Sequence, residues 1–411
     1  MSLNSHSDRV FYDSITNPIC INNQAISFSS NAEHVGVIRS IEGNMPHIFE
    51  RLSSHRKAIF SVLHTGMARS HRGNPVAGLR LEQVYGIPVL LSGIGTLVLN
   101  QSELSIIDKH HRNVLRCILR FPDRTPAPVI YFLSGSLPAS ALIHIRQLTL
   151  LGMIARQRGV LYNHGLNVYI NSKPSARSWF LQVAGLCLKY DLPHPIILLQ
   201  SPLDKNKYKS LIKARTIDFW ERKLRYDASL LSSLKYFKYD FYSLKHPHII
   251  FQTAGSNPYQ VQMSILQSKM LGNLYMTESK CRFWSVTNPS GFCSLPSCVN
   301  LQIKGDLEHF LSSCESLIVT REDMINYMFS YSLNYPEIIK ILKAYAHPKC
   351  NDFVNFVLDC SSLPLVIQTY QRQGKYILDM LFKLTRTFCG SLDRARSRIL
   401  NEMCNNHNDT S

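Results

Sequence analysis

Apolar residues recur at helical spacing along most of this chain, which predicts a mainly α-helical fold. From Pro46 onward, Ile48, Leu52, Ile59 and Leu63 share one face of a predicted helix. An apolar helix interrupted at Pro88 is expected over 79–99. Comparable stripes predict further helices over 102–119, with Ser102 at the start, and over 139–157, 178–189, 205–236 and 261–274.

The first 43 residues have a different, extended pattern. Ile19, Ile21 and Ile26 flank the turn-forming pair Asn22-Asn23, which predicts a short β-hairpin. The apolar stretch from Val35 to Ile38 predicts an additional strand. The fold class expected from the sequence is therefore mainly α with a short N-terminal β-hairpin.

Shifts in composition and proline-containing breaks divide the chain into consecutive segments. We expect a β-hairpin segment over 1–43, a helical domain over 44–158, a basic helical linker region over 159–275, a cysteine-bearing unit over 276–325, a helical C-terminal region over 326–400 and a disordered tail over 401–411.

The charge balance favours a polyanionic partner. The 411 residues carry 45 Lys and Arg against 28 Asp and Glu, a formal net charge of +17, and nucleic acid is the commonest polyanion that basic proteins bind. The excess is spread along the chain rather than gathered in a tail, which indicates a broad basic face. A charge that serves solubility alone is the alternative interpretation.

The number of cysteines and the hydropathy of the chain indicate the cellular compartment to expect. The 11 cysteines are an odd number and are scattered, and the polar start of the chain has no secretory pattern, so we expect a reducing intracellular setting, cytoplasmic or nuclear. The most apolar stretch, 87–99, is short for a membrane span and contains Pro88. No membrane partner is predicted.

The most specific chemical motif is a cluster of cysteine and histidine. Cys293 and Cys298 are followed after ten residues by His309 and Cys314, and two short-spaced pairs joined by a loop can fill the four corners of a tetrahedral zinc site. We predict one structural zinc ion, with Cys281 as a reserve ligand. Ordinary buried thiols beside a surface histidine are the alternative.

Several short segments precede the cysteine cluster in a set order. They are INNQAI (21–26), EHVGV (33–37), YGIPVLLSG (85–93), HRNVLRCIL (111–119), TP (125–126) and GSLP (135–138). In this order, and closed by the cysteine cluster, they resemble the region that follows the palm in LINE-type (non-LTR) retrotransposon reverse transcriptases. Arg321 matches an arginine often found just after that family's zinc knuckle.

This resemblance implies a fold and a set of partners. Segment 1–43 would be the remnant of a palm-proximal hairpin, 44–158 a helical thumb-like domain and 276–325 a CCHC zinc knuckle. Thumb domains of such polymerases grip RNA, RNA–DNA or DNA duplexes, and the missing palm portion of the same element protein would be a further partner.

The family's catalytic carboxylates are not found in this sequence. RNA-directed DNA polymerisation needs two metal ions held by paired carboxylates. In the family these lie on a Tyr-x-Asp-Asp hairpin, and this sequence contains no Asp-Asp pair. Polymerase activity by this chain alone is therefore not expected, no catalytic residue is assigned, and no nucleotide-binding glycine loop is found.

Candidate nucleic-acid contacts lie on two predicted basic helices and nearby loops, because Lys and Arg on a helical face bind phosphates without sequence preference. A solvated helix face is the alternative for each residue, and for Trp220 we expect a core position. His110 and His111 are expected as hydrogen-bonding partners on the first face. The candidates are Arg69, Arg72, Lys109, Arg112, Arg116, Lys207, Lys209, Lys213, Arg222, Lys223, Arg225 and Trp284.

Two functions therefore stay open at this point. The first is a nucleic-acid-binding fragment of a retrotransposon reverse transcriptase. The second is a catalytically inert scaffold, the decayed product of such an element, without retained binding activity.

Overall fold

The computed structural model describes residues 20–21, 24–25, 30–64, 73–171, 178–282, 288 and 290–408. Within these residues the fold is mainly helical, as predicted. The α-helices span Met45–His64, Pro75–Leu81, Ile87–Leu90, Gln101–Leu119, Ala127–Ser134, Ala139–Gln157, Val160–Asn171, Trp179–Lys189, Pro195–Gln200, Lys205–Ser229, Ile249–Gln252, Pro258–Leu271, Glu278–Cys281, Ile318–Tyr331, Pro336–Tyr345, Phe353–Asp359, Pro364–Gln373 and Tyr376–Asn408.

In the described part of the N-terminal segment, two small antiparallel hairpins precede the helices. Cys20–Ile21 pairs with Gln24–Ala25, which confirms the predicted hairpin strands, while its turn residues lie outside the described part of the chain. Asn31–His34 pairs with Val37–Ser40. Val35 belongs to the turn between these strands and has a φ of 51°, so the predicted strand begins two residues later than expected.

The boundaries of several helices differ from prediction for local reasons. The helix Gln101–Leu119 is capped by Asn100, not by Ser102: the Glu103 amide donates to Asn100 Oδ1 at 2.9 Å, and Glu103 Oε2 accepts from the Asn100 amide at 2.8 Å. This reciprocal capping box satisfies two amides that a helix start leaves unpaired. The long basic helix ends at Ser229. The last helix continues to Asn408, so the prediction of a disordered tail from 401 was wrong for most of its length.

The chain divides into two compact units. The first comprises residues 1–63, 80–114 and 137–223, and the second comprises 64–79, 115–136 and 224–411. These units differ from the consecutive segments expected from the sequence, because two long helices, Gln101–Leu119 and Lys205–Ser229, each contribute residues to both units.

Two apolar clusters lie among the described residues of the first unit. Ile48 packs with Leu90, Ile94 and Ile107 in one cluster. The other, around Leu151, includes Tyr208, whose ring lies so close to Gly152 that a Cβ there would come within 2.3 Å of it. Gly152 therefore allows the close approach between helix Ala139–Gln157 and the tyrosine.

The second unit is organised around the long C-terminal helix Tyr376–Asn408. The helix Pro258–Leu271 packs along it, and Gly390 admits the sulfur of Met263, which would lie 2.1 Å from a Cβ at that position. Buried Arg386 donates to the carbonyls of Ile250 and Thr253 at 3.0 and 2.9 Å. Such paired buried polar groups fix the register of the packed helices.

Candidate metal centre

The first ligand pair is held by a short antiparallel bridge in the second unit. Phe292 pairs with Lys304, and the Cys293 amide donates to the Ile303 carbonyl at 2.8 Å. The chain then turns back, with the Cys298 amide donating to the carbonyl of buried Leu295 at 2.9 Å. This turn carries Cys298 back towards Cys293 despite the four intervening residues.

The second ligand pair lies on a π-helical turn. Asp306 Oδ1 accepts from the His309 amide at 3.0 Å and so caps the start of this helical turn. The π-turn spans His309–Ser313, and the Cys314 amide donates to the His309 carbonyl at 2.8 Å. Because a π-turn bonds residue i to residue i+5, it brings positions 309 and 314 to the same side of the chain.

The four side chains converge on one point. Cys293, Cys298, His309 and Cys314 are all buried, and their ligand atoms lie within 4.8 Å of one another. The sulfurs of Cys298 and Cys314 are 3.7 Å apart. Two thiolates that share one tetrahedral zinc at the usual Zn–S distance are about 3.8 Å apart. The predicted cluster therefore exists and is able to hold one metal ion.

The imidazole of His309 has an orphaned nitrogen. Its Nε2 is buried without a hydrogen-bond partner, while Nδ1 lies 3.2 Å from Ser313 Oγ. A buried polar atom without a partner costs free energy, and a metal ligand would satisfy it. A second hydrogen bond at the opposite ring nitrogen is what orients metal-binding histidines. The donor set thus fits a metal.

The thiols of the cluster are electrostatically coupled. Hydrogen bonding to Cys314 lowers the pKa of Cys293 to about 4, against the opposing effect of burial. The same contact, together with burial, raises the pKa of Cys314. The cluster accordingly favours one thiolate, and metal binding would release the remaining thiol protons.

Two residues outside the four ligands were singled out by the sequence. Arg321 is 4% exposed and donates to backbone carbonyls of the π-turn, so it is a structural neighbour of the site. Cys281, the predicted reserve ligand, is half-buried and does not belong to the cluster.

The first basic helix, Gln101–Leu119, presents a smaller cationic face than predicted. Lys109 is exposed and Arg112 is half-buried. Arg116 Nη2 lies 3.3 Å from the Asp123 carboxylate, and Nη1 donates to the Asp123 backbone carbonyl. His111 is 1% exposed, so the expectation that it lies on this face was wrong.

The second basic helix, Lys205–Ser229, exposes most of its predicted cations. Arg222 pairs with Asp218 at 2.8 Å, and Lys223 Nζ lies 5.6 Å from the centre of the Trp220 ring. Arg225 is half-buried and donates to the Tyr242 carbonyl at 3.1 Å, which gives it a structural role. The predicted contacts on this helix that are exposed are Lys207, Lys209, Lys213, Arg222 and Lys223.

The structure describes Trp220 but not Trp284, the predicted aromatic contact. Trp220 donates from Nε1 to Tyr190 Oη at 3.2 Å and packs against the apolar cluster, which confirms its core position. Trp284 lies outside the described residues, as do Arg69 and Arg72.

The first unit contains a buried histidine–carboxylate cluster that the sequence did not predict. His55 Nε2 lies 3.0 Å from Glu82 Oε1, and His111 Nε2 lies 3.6 Å from the same oxygen. His55 Nδ1 lies 2.9 Å from Nε2 of half-buried His110. The adjacent histidines 110 and 111 were the sole signal, and their spacing fits an exposed face equally well.

Comparison with protein-family models, with curated proteins and with solved structures gives no match to this chain. In the part of the chain that the structure describes, no single helix is long and apolar enough to cross a membrane, although the bent pair Ala127–Ser134 and Ala139–Gln157 meets the length and composition criteria together.

Proposed function

We propose that this chain binds nucleic acid, as RNA or as an RNA–DNA or DNA duplex, and that one structural zinc ion stabilises its cysteine-bearing unit. The observation that carries the proposal is the buried Cys3His cluster with its orphaned His309 Nε2, in a chain of net charge +17.

Zinc is the metal that this donor set favours. Three thiolates and one imidazole are soft or borderline ligands, and tetrahedral arrangements of them select zinc over oxygen-seeking cations such as magnesium. All four positions are filled by protein and all four residues are buried, so the ion would contribute folding free energy rather than catalysis.

The exposed cations, together with half-buried Arg112, supply the polyanion contacts in this proposal. Lys109 and Arg112 lie on the first basic helix, and Lys209 and Lys213 lie one turn apart on the second. Such residues neutralise phosphates, which makes affinity independent of sequence and dependent on salt. Arg116 and Arg225 are reassigned to intramolecular contacts.

The resemblance to LINE-type reverse transcriptases gives the proposal its biological setting. The chain would be the thumb and zinc-knuckle part of an element protein, acting together with a palm that carries the polymerase carboxylates. The ordered Cys-Cys-His-Cys cluster with Arg321 against it supports this origin, since the family pattern contains the same arginine.

Metal content and nucleic-acid binding test the proposal together. We expect about one zinc per purified chain and binding to an RNA hairpin and to an RNA–DNA duplex whose log affinity falls linearly with log salt. Cys293→Ser should release the metal and weaken binding. Cys281→Ser is the matched control, since this nearby thiol lies outside the cluster, and it should keep both properties.

A metal-free protein that does not bind either nucleic acid at low salt would refute the proposal and leave the inert scaffold as the better description. Retention of zinc by Cys293→Ser would refute the ligand assignment separately.

A further inference from the structure

A cavity of about 170 Å³ in the second unit lies outside the proposed metal centre and outside both basic helices. Its lining includes the aromatic residues Phe132, Phe241 and Tyr242 and the polar residues His248 and Ser361. Ligand sites in proteins are typically concave and mostly apolar, with a few polar groups that fix orientation. The composition of this cavity fits that description.

A buried carboxylate organises the polar side of the cavity. Asp359 is 1% exposed and accepts hydrogen bonds from Tyr242 Oη and, at 2.6 Å, from Ser361 Oγ. Burial raises the pKa of Tyr242 well above its ordinary value, so the phenol stays protonated and donates its hydrogen bond to Asp359. Both hydroxyls donate their hydrogen bonds to the carboxylate. Their oxygens therefore retain lone pairs that can accept a hydrogen bond from a ligand.

His248 contributes a buried donor whose one nearby acceptor, the Asp359 carboxylate, is held at a long distance. Its Nδ1 accepts from the Ile250 amide at 3.3 Å, which places the proton of the neutral ring on Nε2. Nε2 lies 3.4 Å from Asp359 Oδ2, an ion-pair distance without hydrogen-bond geometry. The side chain is 7% exposed, so solvent does not compensate. A buried donor with one long contact in a cavity wall favours a ligand that carries a better-placed acceptor.

The aromatic wall continues to the surface of the unit. Phe132 is 1% exposed and packs beside Tyr242, with ring centres 6.3 Å apart. Phe241 is 61% exposed although it is a large apolar ring. An aromatic ring at a cavity mouth, next to a donor and two acceptors, is suited to stack a planar heterocycle.

We propose that this cavity binds one nucleobase of a single-stranded nucleic acid, with a ring of pyrimidine size. A cavity of about 150 Å³ takes a benzene-sized molecule, so the volume here admits a single six-membered ring. Adjacent carbonyl and N–H groups on a pyrimidine edge would meet His248 Nε2 and the hydroxyl oxygens of Tyr242 and Ser361. The inference rests on the proposed nucleic-acid binding and adds base recognition to it.

Free nucleosides separate this site from the phosphate contacts. Saturation-transfer NMR on the full chain should give transfer to uridine and weaker transfer to adenosine, and the chain should bind an oligo-U strand more tightly than an oligo-A strand. Phe241→Ala should weaken oligo-U binding by roughly tenfold, the usual effect of removing one stacking ring. Ser243→Leu, which fills the cavity from its wall, should abolish transfer to uridine.

Tyr370→Ala is the matched control, because Tyr370 is a partly exposed aromatic residue of the same unit that does not line the cavity. Thermal melting shows whether each variant folds. Wild-type binding by Phe241→Ala and Ser243→Leu, or absent transfer to uridine, would overturn the inference. Oligonucleotide binding without any base preference would overturn it while leaving the proposed function in place. Uridine binding in a chain that binds no oligonucleotide would support the cavity and refute the proposed function.

Discussion

The guanidinium of Arg321 donates from Nη2 to the backbone carbonyl of Cys314 at 3.0 Å. Its Nε donates to the Leu311 carbonyl at 2.9 Å, so one buried cation holds both ends of the segment that leads to the last cysteine ligand. Burial lowers the pKa of Arg321, and the nearby thiols oppose this shift. A divalent metal with three thiolates leaves a net negative charge, which a guanidinium in this position would neutralise.

We therefore expect Arg321→Met to weaken metal binding by roughly tenfold to a hundredfold, as the loss of contacts around a metal's ligands commonly does. Competition against a chelator measures this affinity. Arg372→Met, at an exposed position of the same unit, should leave it unchanged. Equal metal affinity in the two variants would show that Arg321 does not tune the site.

The two arginines of the first basic helix should behave differently. Lys109→Ala combined with Arg112→Ala should reduce the slope of log affinity against log salt by about 2, because each lost phosphate contact removes about 0.9. Arg116→Ala should leave the slope nearly unchanged and lower the free energy of unfolding by about 1 kcal/mol, since Arg116 is engaged with Asp123. Salt titrations and urea unfolding distinguish these effects. A slope change for Arg116→Ala as large as that of the Lys109→Ala, Arg112→Ala double variant would contradict the assignment.

Gly86 has no room for a side chain. A Cβ at this position would lie 2.2 Å from Glu82 Oε2 and 2.7 Å from the Ile59 side chain, so Gly86→Ala should destabilise the protein by about 1 to 3 kcal/mol. Gly185→Ala is the matched control: Gly185 lies in the helix Trp179–Lys189, and an added Cβ there meets nothing within 4 Å. The control should be stabilised by about 0.5 to 1 kcal/mol. Chemical unfolding of the two variants gives the comparison, and equal effects would be inconsistent with this packing.

The buried histidines should make folding sensitive to acid. Burial lowers the pKa of His111 to about 4, against the opposing effect of Glu82, while an unfolded histidine titrates near 6.5. Because the folded state favours the neutral ring, burial of His111 makes acid destabilising. The folded state has its full stability above about pH 6.5 and loses this contribution as the pH falls towards 4. Burial likewise lowers the pKa of His110 to about 4.

For His111 alone, the free energy of unfolding would fall by up to about 3 kcal/mol between about pH 6.5 and pH 4. His111→Gln should flatten the dependence of unfolding free energy on pH, whatever its effect on absolute stability. His34→Gln, at an exposed histidine, should keep the wild-type profile. Urea unfolding between pH 4 and 7 provides the measurement, and an unaltered profile in His111→Gln would exclude this residue as the source.

The sequence by itself determined the helical class, the N-terminal hairpin strands and the order of the four metal ligands. These features are local: helical periodicity, turn chemistry and the spacing of Cys293, Cys298, His309 and Cys314 are written in neighbouring residues. The π-turn that aligns His309 with Cys314 was not expected from the sequence.

Tertiary structure alone decided which polar side chains are engaged in contacts within the protein and which remain exposed. It buried His111 against Glu82, engaged Arg116 with Asp123, and brought Tyr242 and His248 to Asp359 more than 100 positions along the chain. Sequence patterns report which face of an element is apolar, but they carry no information on which distant group that face will meet. The partners of buried polar residues therefore follow from packing. Packing likewise determines the cavity and the division into two units.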